Sequence, residues 1–163
     1  AIGNRYDLRG PPTKIQACCD NEYLYFAIEC NKVPDRDYPQ NTLARTRDAR
    51  LEARDRVDLL IDIDRDYTTY YQLSVDHHGA TYDACWNDAS WNPEWFVASR
   101  TTENSWICEI AIPLAELTTE PRATKRLWAI GVQRIIPGVG FQSWTEPANP
   151  QIDPTGFGYL QLP

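Results

Sequence analysis

Apolar and polar positions along this chain alternate with a period of two far more often than they recur every three or four residues. Thr13–Cys19 and Leu24–Cys30 are rich in β-branched and aromatic residues and flank the turn-forming Asp20-Asn21-Glu22. Val57–Ile63 reads as a buried strand, and Thr69–Val75 alternates. Gly79 marks the turn into Thr81–Cys85. Phe96–Arg100, Trp106–Ile112, Leu127–Ile136 and Phe157–Leu162 complete about nine predicted strands, joined by polar or Pro/Gly-containing turns. No long amphipathic helix competes. Asn41–Arg54 is charged on nearly every side and reads as an exposed connection. Pro113–Leu117 is predicted to make one helical turn, with Pro at its first position. Many short strands with regular turns predict an all-β fold, an antiparallel β-sandwich with long aromatic loops, occupying residues 1–163 as a single domain.

Parity sorts the side chains of SWICEIAIPLAEL, Ser105–Leu117. Trp106, Cys108, Ile110 and Ile112 share one face, which is core. Ile107, Glu109 and Ala111 share the other, where a neighbouring segment is expected to cover Glu109 in part. If the first two strands form a hairpin, Cys18 stands opposite Tyr25 and Cys30 opposite Thr13. That stagger argues against a Cys18–Cys30 bridge, because a disulfide needs Cα atoms within about 7 Å. The five cysteines are odd in number and match no zinc spacing.

Composition narrows the function. A net charge of -7 and a pI near 4.8, with scattered Lys and Arg, give no basic face for nucleic acid. No stretch approaches the roughly 20 apolar residues of a membrane span. There is no Met, and the chain begins Ala1-Ile2-Gly3-Asn4, as a mature or excised fragment would. No nucleophile elbow, P-loop or dinucleotide fingerprint occurs, so an enzyme is not expected.

The order of several segments carries a resemblance. DRVDLLIDIDRDYTTYYQLSVDHHGATYDA is followed by SWNPEWFVAS, SWICEIAIPLAEL, LWAIGVQRI and GFGYLQL. Together these resemble the carbohydrate-binding module family 9-like domains over roughly residues 20–162. The resemblance implies a non-catalytic β-sandwich that binds a mono- or oligosaccharide, chain ends included. It further implies covalently linked domains of a larger secreted, periplasmic or cell-surface protein. It places Glu109 and Arg134 in the fold signature, from which we expect a structural ion pair between neighbouring strands, Arg offering its planar fork to the carboxylate.

Six tryptophans are the functional opportunity, because the C–H faces of sugars stack on aromatic rings while neighbouring polar groups bond the hydroxyls. Trp106 and Trp128 lie within strands and are expected in the core. Trp86, Trp91 and Trp95 crowd the loop CWNDASWNPEW, with Asn92 among them, and form the expected sugar platform. Trp144 and Gln142 are expected to contribute from FQSWTEPANPQIDP. Reducing-end-binding members of the family clamp sugar with an aromatic where this chain has Gln151-Ile152-Asp153-Pro154, so a changed or lost specificity is an alternative, leaving a structural or protein-interaction domain. A haem-binding sandwich is a further alternative, against which the absence of an axial Met counts. Calcium is admitted by the resemblance, but no site is assignable. Asp62, Asp64 and Asp66 fail the calcium-loop pattern at Tyr67 and Leu73 and read as strand-end polar residues. His77 and His78 read as a surface turn whose rings point to opposite faces.

Overall fold

A computed structural model describes residues 10–39, 45–119, 127–145 and 151–162. Ten strands are described: β1 Thr13–Cys19, β2 Tyr23–Asn31, β3 Arg56–Asp62, β4 Tyr71–Asp76, β5 Thr81–Cys85, β6 Phe96–Thr101, β7 Ser105–Pro113, β8 Leu127–Ile136, β9 Gly140–Ser143 and β10 Gly158–Gln161. One helical turn, α1 Leu114–Leu117, follows β7 as predicted, with Pro113 at its N-cap. All described strand pairs are antiparallel.

Four strands form one sheet in the order β1-β2-β7-β6. The other sheet has six, ordered β10-β8-β3-β4-β5, with β9 also paired to β8. The hairpin register is the predicted one, Thr13 facing Cys30 and Cys18 facing Tyr25. None of the five cysteines, all of them described, is in a disulfide.

The inward residues of both sheets meet in one core. Leu24, Phe26, Ile28 and Cys30 come from β2, and Trp106, Cys108, Ile110 and Ile112 from β7. Facing them are Val57, Leu59 and Ile61 of β3, with Trp128, Ile130 and Val132 of β8. Strict alternation on β2 and β7 is what one covered face and one open face require. β3 is different: Val57 to Asp62 is buried on both sides. Its outer face is covered by Phe157, whose ring lies so close that a Cβ on Gly131 of β8 would meet it at 2.8 Å.

The Glu109–Arg134 pair is not formed. Glu109 is exposed on the outer face of β7, while Arg134 points into the sandwich from β8 and is 0% exposed. The partner of Arg134 is Asp55, just before β3. The guanidinium makes two bonds to that carboxylate, Nε to Oδ1 at 2.9 Å and Nη2 to Oδ2 at 2.7 Å. It also donates to the carbonyls of Asn31 and Pro11 and to the Thr13 hydroxyl. Tyr38 donates its hydroxyl to Asp55 at 2.7 Å. Arg134 thus ties β8 to β1, β2 and the entry of β3, joining the two sheets at one end.

The segment before β3 is an exposed connection over its described part, with only Leu51 and Asp55 buried between residues 45 and 55. Its backbone bonds the edge of β5 through Thr46 and Ala49, both to Thr81.

Candidate functional site

The tryptophan loop begins where β5 ends. Trp86 and Asn87 take positive φ, 45° and 67°, and reverse the chain. The Asp88 carboxylate accepts the Ser90 amide. Trp91 then tucks in half-buried against Tyr71, their ring centroids 4.6 Å apart. Trp95 is fully internal, and its Nε1–H donates to Asp83 at 2.9 Å.

Two arginines fasten this loop from the connection before β3. The Arg45 guanidinium lies 5.2 Å from the Trp95 ring centroid and donates to the Trp95 carbonyl. Arg47 donates to the Asn92 side chain and to the Pro93 carbonyl. Burial pushes the Asp83 carboxyl above its ordinary value, against which Trp95 and Arg47 act.

The expected platform therefore divides. Trp86 is an open ring, 57% exposed. Trp91 is one half of a tilted aromatic pair with Tyr71. Trp95 belongs to the core, and Asn92 is engaged by Arg47. Trp144 is exposed but lies elsewhere, beside β10 at the opposite edge of the six-stranded sheet from β5. Its ring rests over Gly158, where a Cβ would come within 2.9 Å of it. Gln142 is buried: it accepts from the Thr13 hydroxyl at 2.8 Å and donates to the Pro11 carbonyl at 3.0 Å. It braces the Arg134 network and faces no solvent.

The structure also shows a cleft beside this loop. It encloses about 340 Å³ between the β3–β4 loop and α1, lined by Asp64, Thr69, Tyr70, Tyr71, Cys85 and Glu116 among others. Tyr71 is also the partner of the Trp91 ring, and Cys85 immediately precedes Trp86. Two tyrosines thus line the cleft together with hydroxyl and carboxylate groups, a combination suited to a neutral polyol. The tyrosines were legible only as a strand. The pairing of β4 with β5, Tyr71 against Cys85, brings them to the tryptophan loop.

Asp62, Asp64 and Asp66 offer carboxylate oxygens within 4.8 Å of one another, in kind the hard donors calcium takes. Those of Asp62 already accept the amides of Arg65 and Tyr67, and Asp66 accepts those of Thr68 and Thr69. They close a tight loop in which Arg65 and Tyr67 have φ of 60° and 56°. The histidines depart from expectation. They sit in the β4–β5 turn with their rings side by side, centroids 3.9 Å apart and planes tilted by 39°, instead of facing apart.

No curated protein matches this chain. Among solved structures, a carbohydrate binding module family 9 from Caldicellulosiruptor kristjanssonii in complex with glucose superposes with a TM-score of 0.69 at 12% identity, over 97% of this chain and 80% of that one. A Bacteroides uniformis protein named for carbohydrate binding superposes with a TM-score of 0.71 at 12% identity, over 94% of this chain and 79% of the other. At that identity the likeness is one of fold. The model of the carbohydrate family 9 binding domain-like family matches residues 3–163, and this chain belongs to that family of non-catalytic modules.

Proposed function

We propose that this domain binds a mono- or oligosaccharide, chain ends included, at the cleft beside the tryptophan loop. The observation that carries the reading is a cleft that Tyr71 lines together with Asp64, Thr69 and Glu116, with Trp91 packed against Tyr71 and the exposed Trp86 bonded through its backbone to the lining residue Tyr70. A sugar would lay its C–H face on a lining tyrosine and donate its hydroxyls to the two carboxylates. Trp95, Asn92 and Gln142 support the scaffold in this reading, and Trp144 stands apart as a separate surface ring. Affinity is modest, because a short ligand buries little area and its hydroxyls are desolvated on entry. The domain serves as an accessory module of a larger extracytoplasmic protein.

The test is a tryptophan fluorescence titration with xylo-, cello-, manno- and galacto-oligosaccharides. A saturable shift that Trp86→Ala and Tyr71→Ala abolish, and Trp144→Ala leaves in place, supports the cleft. A shift abolished only by Trp144→Ala moves the site to the β10 edge. A second reading, an interaction domain without sugar binding, draws on Gln151–Pro154, where Asp153 caps a 3-10 turn and no ring is presented. A flat response from folded protein, with no heat of binding to any of these sugars in calorimetry, favours it.

A further inference from the structure

The outer face of the four-stranded sheet is open among the described residues, and its pattern is not that of a bare apolar surface. Strand pairing sets Gln16, Ala27, Glu109 and Ala98 side by side, one from each strand. The adjoining row toward the β1–β2 turn is Cys18, Tyr25, Ala111 and Phe96. Tyr23 links the aromatics of that end: its ring centroid lies 5.8 Å from Tyr25 and 6.3 Å from Phe96, itself 48% exposed. At the other end Lys14 pairs with Glu29 at 3.5 Å, and Arg100 is exposed beyond Ile107.

Small residues in the middle leave a depression. Two hollows, of about 590 and 520 Å³, share Gln16 and Ala27 in their walls, so they form one trough. From Lys14 to Cys18 it runs four residue steps, about 13 Å at the usual strand rise. That length accommodates a short run of pyranose rings.

We infer that this trough is a second binding surface, for an extended stretch of a neutral oligosaccharide. The inference rests on the carbohydrate-binding reading of the domain but concerns a different face of it. Three features select the ligand. Rings border the trough at one end and offer stacking to sugar C–H faces. An amide and a carboxylate, Gln16 and Glu109, stand in its centre on rigid strands, where they bond hydroxyls. A protein interface, by contrast, concentrates apolar groups and depletes charge at its core. Charge on the face is balanced, Lys14 and Arg100 against Glu29 and Glu109, so it favours neither a uronic acid chain nor an aminated one. Glu109 is then neither a catalytic acid nor a pin of the fold. It is an acceptor held in the floor of a trough.

No tryptophan lines this trough, which separates its readout from that of the cleft. The deciding experiment is an amide chemical-shift titration of the intact domain with cello-, xylo- and manno-hexaose, and with glucose as a short control. We expect saturable shifts at Lys14–Cys18, Tyr25–Glu29 and Ile107–Ile110 with one hexaose and none with glucose. Tyr25→Ala and Glu109→Gln should each weaken that response by roughly tenfold, about 1.4 kcal/mol, while shifts around Tyr71 and Trp91 persist. Ala27→Arg, which fills the trough from an outward position, should abolish it. No response on this face with any hexaose overturns the inference. So do shifts confined to the Tyr71–Trp91 cleft, which leave the cleft reading standing. Shifts on this face that grow with protein concentration alone also overturn it, assigning the face to a second copy of the chain.

Discussion

The most consequential single residue is Arg134. Its fork is satisfied on every side, and its charge is matched by Asp55, which is itself 3% exposed. Removing one member of a buried pair leaves the other charge uncompensated, which costs about 3–5 kcal/mol. We therefore expect Asp55→Ala to lower the thermal midpoint far more than any outward substitution, and Arg134→Lys to lose most of the same stability, because an ammonium cannot reproduce the two parallel bonds. Glu109→Gln is the internal control. It should change stability by less than about 0.5 kcal/mol, as surface substitutions generally do. Calorimetry on the three variants decides the matter. Similar losses for Asp55→Ala and Glu109→Gln would restore the pairing that residue order alone suggested. That partner was hard to read because Asp55 lies 79 residues from Arg134, and nothing local distinguishes it from Asp48, Asp58 or Asp62. Only the pairing of β3 with β8 brings it within reach.

His77 gives a second prediction at this scale. Both its ring nitrogens are buried without a hydrogen-bond partner, and its ring meets Tyr38 edge-on at 5.1 Å. Burial holds its pKa below the ordinary imidazole value, with His78 adding to the effect and Asp76 and Asp55 opposing it. Arg54, which bonds Asp76, is the remaining charge facing it. The unfolded chain takes up a proton near the ordinary value of about 6.5 that the folded chain resists. The contribution to stability is thus fully present above that pH and is lost on acidification through it. We expect the melting temperature to fall between pH 7 and pH 5, and His77→Gln to fall less over the same interval. Equal slopes would show that carboxylates alone govern the acid side.

At the scale of elements, parity carried most of the information. The inward faces of β2 and β7 alternate so regularly that register and core could be read together. β9 escaped because Gly140-Phe141-Gln142-Ser143 is four residues long and follows a glycine turn, leaving no period to detect. The tryptophan loop failed for another reason. Three tryptophans in a polar stretch look alike in composition, but their exposure is decided by Arg45 and Arg47, which arrive from a connection 50 and 45 residues earlier. Those arginines yield a prediction about the element as a whole. Arg47→Ala removes the donors to Asn92 and Pro93 and weakens the compensation of buried Asp83. It should cost about 1–3 kcal/mol and loosen residues 87–93. Amide exchange there should accelerate, with exchange in β2 and β7 unchanged. If the loop is the edge of a sugar cleft, affinity falls in the same variant without loss of any contact residue. Unchanged exchange would mean that the packing of Trp91 on Tyr71 fixes the loop by itself.

For the molecule as a whole, the two sheets differ in what they leave open. The six-stranded sheet is covered on its outer face, where Asp58, Leu60 and Asp62 are all buried, whereas the four-stranded sheet is not. Both candidate surfaces follow from that asymmetry, one at the rim and one on the open face. Cysteine chemistry offers a direct measure of how cooperatively this assembly holds. Cys18 is exposed at the edge strand, while Cys30 and Cys108 are 0% exposed on the two central strands of the four-stranded sheet. Burial pushes the Cys30 thiol up to about 12 and holds the Cys108 thiol well above its usual range. Neither supplies thiolate in the folded state. Alkylation of the native protein should therefore modify Cys18 rapidly and Cys19 and Cys85 more slowly. Cys30 and Cys108 should react at a common rate set by global opening, because both thiols are reached only when the sandwich separates. Raising denaturant below the unfolding transition should accelerate these two in parallel with the equilibrium unfolding constant. If Cys30 reacted ahead of Cys108, the Arg134 end of the sandwich would open by itself, and the buried ion pair would be a local hinge instead of the clasp between the sheets.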